Sequence, residues 1–122
     1  MHEDLAKLQG KWKVETLEMD GAAFALRAFP DAAIEVEGDR FASRGMGAVY
    51  GGTLEVDASE SPKRLSMKFT EGPEKGNTNR GIYELRGDEW KLCLSMTGGA
   101  APEKFGTSAG SGHALETLRR VR

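Results

Sequence analysis

The feature that most constrains this chain is a series of short segments in which apolar and polar residues alternate. The first begins at Gly10-Lys11-Trp12, and its residues Trp12, Val14 and Thr16 fall on one face, with charged residues on the other. A period of two is typical of a strand that buries one face. Residues 17–19 break the alternation, which predicts a bulge near the end of this strand.

Further segments of this kind follow at intervals of about ten residues, separated by turn signals. Sixteen glycines against four prolines indicate tight turns rather than disorder. The last segment is ambiguous, because Leu115, Leu118 and Val121 are also spaced as on a helix. We interpret it as a strand, since an open sheet would leave two exposed edges. The further predicted strands are residues 34–37, 40–44, 49–56, 64–70, 80–85, 90–96 and 113–122.

The connections are too short for helical crossovers, so neighbouring strands are expected to pair antiparallel. Eight such strands suit a barrel whose interior is filled by side chains or holds one small ligand. The fold class predicted is therefore all-β: an eight-stranded antiparallel up-and-down β-barrel, with residues 1–122 as one domain. Residues 3–9 are predicted to form a short N-terminal helix with Leu5 and Leu8 on one side, which Gly10 ends.

Residues 22–32 leave two alternatives open. Ala25, Leu26 and Phe29 are spaced for one face of a short helix that Pro30 would stop. Such a helix would lie across an open end of the barrel. The alternative is a loop whose aromatic side chains fill the core.

Gly10-Lys11-Trp12, after a short helix, resembles the G-x-W motif of lipocalins, in which a basic residue of the last strand packs over the tryptophan. The resemblance implies a structural seal formed by Gly10, Trp12 and Arg119 or Arg120. The order of motifs along the chain is similar to a lipocalin-like domain family of unknown function, abundant in planctomycete genomes. It implies a calycin-type barrel and no particular activity. The matching segments are residues 8–14, 69–76, 81–88, 92–94, 105 and 110–113.

Charge and composition exclude several classes of function. The net charge is −2 with both signs well mixed, so no basic stripe exists to neutralise nucleic-acid phosphates. The basic residues 119–122 are interpreted as a solvated end. No stretch suggests membrane insertion or a signal peptide, so a cytoplasmic protein is the default expectation, although removal of a leader would leave the same sequence. A single cysteine, Cys93, allows no intramolecular disulfide and points away from the apolar face of its strand.

The motifs for catalysis and metal binding are incomplete. Residues 106–110 match G-x-S-x-G, but the acid Glu116 follows the histidine His113, which is the wrong order for a hydrolase. His2, His113 and Cys93 offer no convergent set of zinc ligands. We therefore predict that the protein is not an enzyme and has no metal or cofactor.

The sharpest hypothesis for a site starts from Tyr83, whose inward hydroxyl would need a buried partner. Arg80, Arg119 or Arg120, or the carboxylate of a ligand, would supply one. The hypothesis is that the barrel binds one small apolar or acidic-headed ligand at the end opposite Trp12, with Met46, Met67 and Met96 as an adaptable wall. The candidate ligand-binding residues are Tyr83, Tyr50, Trp90, Arg80 and Met67.

The alternative is a barrel with a solid core, in which Tyr83 bonds to the backbone and the arginines reach water. The protein would then be a structural or interaction module that acts through loops 22–32 and 98–112. The sequence leaves the oligomeric state open.

Overall fold

One short helix and nine strands make up the regular structure of residues 2–122, which are the residues that the computed structural model describes. Helix α1 spans Glu3–Lys7 and is followed directly by the first strand. The strands are β1 (Gly10–Met19), β2 (Ala22–Ala23), β3 (Ala33–Glu37), β4 (Arg40–Arg44), β5 (Tyr50–Asp57), β6 (Lys63–Glu71), β7 (Thr78–Arg86), β8 (Glu89–Ser95) and β9 (His113–Arg120).

Strand β1 closes the sheet, because it pairs with β3 on one side and with β9 on the other. Trp12 is the register partner of both Ile34 and Arg120. Each strand from β3 to β9 pairs antiparallel with the next, so eight strands form a closed up-and-down barrel. The two-residue β2 is an extra strand beside the end of β1. The predicted barrel with its N-terminal helix is confirmed, and so is the strand predicted at the C-terminal end.

A bulge in β1 changes which of its side chains face the interior. The prediction that Thr16 lies on the inward face is wrong, because the register with β9 slips between Val14 and Thr16. The hydroxyl of Thr16 instead meets that of Thr117 on the outer face. Leu17 is buried in consequence. The bulge therefore lies at Glu15, earlier than the predicted position at residues 17–19.

Two tryptophans fill the end of the barrel at which β1 begins. The rings of Trp12 and Trp90 meet edge to face, with centroids 5.6 Å apart, and both side chains are fully buried. The indole N–H of Trp12 donates a 2.8 Å hydrogen bond to the carbonyl of Leu8, just after α1. Leu5 and Leu8 turn inward as predicted. The helix and the two rings together form the floor of the barrel.

Arg120 covers Trp12 at the closed end of the barrel. Its guanidinium carbon lies 4.3 Å from the centroid of the indole ring, which is the geometry of a cation–π contact. Nη1 donates a 2.6 Å hydrogen bond to the carbonyl of Gln9, and Nη2 donates to the carbonyl of Lys7. The last strand is thereby tied to the C-terminal end of α1.

Of the other residues expected in this seal, Gly10 belongs to it and Arg119 does not. Gly10 has a φ of +114°, a conformation that glycine adopts without strain and that lets the chain turn from α1 into β1. Arg119 points to the opposite side of β9 and forms surface ion pairs with Glu15 and Glu89. The expectation for Arg119 is wrong because adjacent residues of a strand face opposite ways.

Residues 22–32 combine parts of the two structures proposed for them. Strand β2 is followed by a single 3₁₀ turn at Leu26–Ala28. Phe24 and Phe29 stack with centroids 5.6 Å apart, and Phe24 remains 37% exposed. Leu26 and Phe29 pack against the core as partly buried side chains, whereas Phe24 lies at the open end of the barrel.

The long segment after β8 packs on the outer face of the barrel. Cys93 points outward as predicted but is fully buried, because its thiol meets the carbonyl of Gly106 at 3.6 Å. Burial raises the pKa of this thiol. Lys91 lies over the ring of Phe105. Thr107 donates a 2.7 Å hydrogen bond to Glu18 and so fixes the segment to β1.

The Trp12 floor is expected to carry a large share of the stability. We predict that Trp12→Ala lowers the free energy of unfolding by about 3–5 kcal/mol, because it leaves a cavity beneath Trp90. Chemical denaturation measures the change. Lys13→Ala, at the exposed next position of the same strand, is the matched control. A loss below about 1 kcal/mol for Trp12→Ala would show that the floor has been misidentified.

Candidate ligand pocket at the barrel mouth

A pocket of about 330 Å³ opens at the end of the barrel opposite the Trp12 floor. We call this opening the mouth. It is formed where β1, β4, β6 and β8 end and where β3, β5, β7 and β9 begin. The lining residues are Leu17, Met19, Phe24, Ile34, Ser43, Met46, Tyr50, Met67, Phe69, Pro73, Glu74, Asn79, Leu94, Met96, Ala114 and Glu116.

Most of this lining is apolar and adaptable. It includes Met19, Met46, Met67 and Met96, whose flexible thioethers fit irregular shapes. The ring of Phe69 meets those of Phe41 and Tyr50 edge to face, with centroids 5.3 and 6.3 Å apart. Phe24 and Met19 stand at the rim with more than a third of their surface exposed. The pocket thus offers an apolar wall that continues to the surface.

Glu116 is a carboxylic acid in the inward register of β9. It lies between Ala114 and Leu118, both of which are buried, and it lines the pocket. Burial alone raises the pKa of Glu116 to about 7, since no partner offsets the cost of its charge. Near neutral pH this carboxyl therefore exchanges between its neutral and charged forms.

Asn79 is another polar residue that lines the pocket. Its side chain is fully buried at the start of β7, opposite Met67 on β6. Its Nδ2 donates to the sulfur of Met96 at 3.4 Å, whereas its Oδ1 has no hydrogen-bond partner among the described residues. Buried polar atoms normally have a partner, so this unpaired acceptor is available to a group of a molecule in the pocket.

Tyr83 lies at the other end of the barrel. Its hydroxyl donates a 2.7 Å hydrogen bond to Oδ2 of Asp4 in α1, and the same oxygen accepts a 2.9 Å bond from Lys63. Burial, followed by the bond to Asp4, raises the pKa of Tyr83. Although burial opposes the charge of Asp4, its bonds to Lys63 and Tyr83 outweigh this effect and lower its pKa. The prediction of an arginine partner for Tyr83 is therefore wrong. Its partner is Asp4, and their bond anchors α1 to the floor.

The structure separates the other candidate site residues. Tyr50 and Met67 line the pocket, and their role in binding stays a prediction. Trp90 belongs to the floor. The prediction that Arg80 belongs to the site is wrong. Its side chain is exposed on the outer face of β7 and donates a 3.1 Å hydrogen bond to the carbonyl of Gly98.

Sequence reasoning missed Glu116 and Asn79, although alternation points to both. Counting by twos from the inward Leu118 places Glu116 inside, but the helical spacing of the last segment obscured this pattern. Counting from Tyr83 likewise places Asn79 inside, but the predicted strand began at residue 80. A polar residue in the inward register of a barrel strand was the available signal in both cases.

Two other features do not form comparable sites. A shallow hollow of about 600 Å³ lies outside the barrel, between β5–β7 and residues 98–101. The G-x-S-x-G motif at residues 106–110 lies in irregular chain rather than between a strand and a helix. Within residues 2–122, no three His, Cys, Asp or Glu side chains are grouped to hold a metal, and no helix is long and apolar enough to cross a membrane.

Comparison of the chain with protein-family models, curated proteins and solved structures finds no match. The geometry of the barrel and its mouth is accordingly the basis of the functional argument.

The anchoring role of Tyr83 predicts a loss of stability without a loss of binding. Tyr83→Phe is expected to lower the free energy of unfolding by about 1–3 kcal/mol, because it removes a buried hydrogen bond to a charged group. Denaturation measures this change. Tyr50→Phe makes the same change at the chain's other tyrosine and is the control, which is expected to lose less stability than Tyr83→Phe. An unchanged stability in Tyr83→Phe would contradict the anchor.

The raised pKa of Glu116 predicts a stability that depends on pH. The unfolded carboxyl ionises near its ordinary pKa of 4.5 and the folded one near 7, so the folded state loses stability as pH rises between these values. Glu116→Gln is therefore expected to match the parent at pH 4 and to exceed it by about 2–3 kcal/mol at pH 8.

Denaturation at both pH values tests this expectation. The same substitution at the exposed Glu55, on the outer face of β5, is the control and is expected to change stability by less than about 0.5 kcal/mol at either pH. Equal effects of Glu116→Gln on the free energy of unfolding at pH 4 and pH 8 would refute the raised pKa of Glu116.

Proposed function

We propose that this protein binds one small, mainly apolar molecule in the mouth of the barrel. The observation that carries the proposal is the pocket of about 330 Å³, whose lining combines a continuous apolar wall with a few polar groups, among them Asn79 and Glu116. A few converging polar groups in an apolar cavity are the usual composition of a small-molecule site. Its volume suits a compact ligand or the end of a longer one.

The division of the barrel into a filled end and an open end supports this function. Trp12, Trp90 and α1 occupy the floor, so the free volume is concentrated at the mouth. The exposed Phe24 and Met19 at the rim extend apolar contact to the surface. The segment around Phe24 lies where it is able to close over a ligand.

The alternative, an interaction module that acts through its loops, has weaker support. Residues 98–112 are held against the barrel by the contacts of Gly106 with Cys93 and of Thr107 with Glu18. Thr107 also accepts a 2.9 Å hydrogen bond from the backbone of Gly21. Through these contacts the segment covers part of the outer face of the barrel, which is a structural role. Binding without catalysis is therefore the function we propose.

A neutral fluorescent probe, N-phenyl-1-naphthylamine, tests the proposal. Its emission is expected to rise on saturable binding to one site per chain, because the pocket removes it from water. Ala114→Phe, which fills the pocket from β9, is expected to weaken binding at least about tenfold, equivalent to roughly 1.4 kcal/mol. Native mass spectrometry of freshly purified protein is a parallel search for a ligand already bound.

Ala6→Phe is the matched control, since it makes the same change on the exposed face of α1 at the opposite end. Met46→Trp is a second filling variant in the loop between β4 and β5, useful if Ala114→Phe is poorly folded by circular dichroism. Absence of saturable probe binding, or equal binding by the filled and control variants, would overturn the proposal.

A further inference from the structure

The charged side chains that line the mouth pocket are all acids, and its uncharged polar groups are the Asn79 amide and the hydroxyls of Ser43 and Tyr50. Asn79 presents an unpaired Oδ1, and Glu116 and Glu74 each present a carboxyl group. None of the lysines, arginines or histidines among residues 2–122 lines the pocket. The arginines expected to bind an acidic head group lie elsewhere. The charged groups of the pocket therefore suit a cation instead of an anion.

We infer that the ligand of this pocket is an apolar amine, whose ammonium group is bound by the carboxylate of Glu116 with Asn79 Oδ1 as a second acceptor. The inference rests on the proposed binding function and specifies its ligand class. The hydrocarbon part of the amine lies against the methionines and aromatic rings of the wall.

The partly buried carboxyl of Glu116 explains why an ammonium group is favoured over a neutral one. Burial raises the pKa of Glu116 to about 7, and no cation of the chain offsets the cost of its charge. An ammonium group supplies the missing opposite charge and a charge-assisted hydrogen bond, which is roughly twice as strong as a neutral one. The ring faces of Tyr50 and Phe69 also attract a cation. Binding and ionisation of Glu116 therefore favour each other.

The surroundings of Glu116 contain no cation that would substitute for the ligand. Its register neighbours are Leu17 on β1 and Leu92 on β8, both apolar. The other titratable groups that line the pocket are Glu74, in the loop before β7, and Tyr50 at the start of β5. A carboxylate ligand would meet two acids here, so it is expected to bind more weakly than an alcohol of equal length.

Displacement of N-phenyl-1-naphthylamine by n-octylamine, 1-octanol and octanoate tests the inference, since these probes share one chain and differ in the head group. At pH 8 octylamine is expected to bind at least about tenfold more tightly than octanol, and octanoate more weakly than octanol. An alkylammonium, like a lysine side chain, keeps its proton to about pH 10. Any pH dependence below that value therefore reports on the protein.

Octylamine affinity is expected to rise with pH and to level off above about pH 7, by up to about tenfold per pH unit, because binding below that pH releases the proton of Glu116 to solvent. Glu116→Gln is expected to remove both this pH dependence and the preference for the amine, while octanol affinity stays within about twofold. Asn79→Leu is expected to weaken amine and alcohol alike, by about two- to tenfold, since both donate a hydrogen bond.

Glu55→Gln, the same change on the outer face of β5, is the control and is expected to retain both the preference and the pH profile. If octanoate matches or exceeds octylamine, or if Glu116→Gln retains the preference for the amine, the inference is overturned while the binding function stands. If neither the fluorescent probe nor any octyl compound binds, both proposals fall together.

Discussion

The pairing of β1 with β9 is the constraint on which the rest of this structure depends. It closes the barrel and leaves the eight main strands without an open edge. It also brings Arg120, near the C-terminus, onto the indole ring of Trp12 near the N-terminus. From that position Arg120 reaches the carbonyls at the end of α1, so the helix, the first strand and the last strand are held by one side chain.

The consequence of this arrangement is a barrel with two unlike ends. The floor holds the two large aromatic side chains Trp12 and Trp90, and its buried Asp4 accepts hydrogen bonds from Tyr83 and Lys63. The indole N–H of Trp90 has no partner among the described residues. At the mouth, Asn79 and Glu116 are left without such partners. A partly buried carboxyl without a counter-charge costs stability, and the proposed amine ligand would supply that counter-charge.

Alternation predicted most of the barrel, because a strand with one buried face carries that pattern in its own residues. The inward faces of β6 and β8 follow it directly, and the methionines expected as an adaptable wall do lie in the pocket. The pattern misled at β1, where the bulge at Glu15 reverses the faces beyond it. It was also missed at Glu116, because the helical spacing of Leu115, Leu118 and Val121 obscured it.

The resemblance of Gly10-Lys11-Trp12 to a lipocalin motif implied the closing role of Trp12. By itself, the sequence determined the eight strands of the barrel and their antiparallel order. These follow from periodicity, turn residues and side-chain size, which act between neighbours along the chain. The tertiary structure alone decided the partners of single side chains: Tyr83 with Asp4 instead of an arginine, Cys93 beneath Gly106, and Glu116 with none. Such pairings depend on the register and tilt of distant strands, which local patterns do not encode.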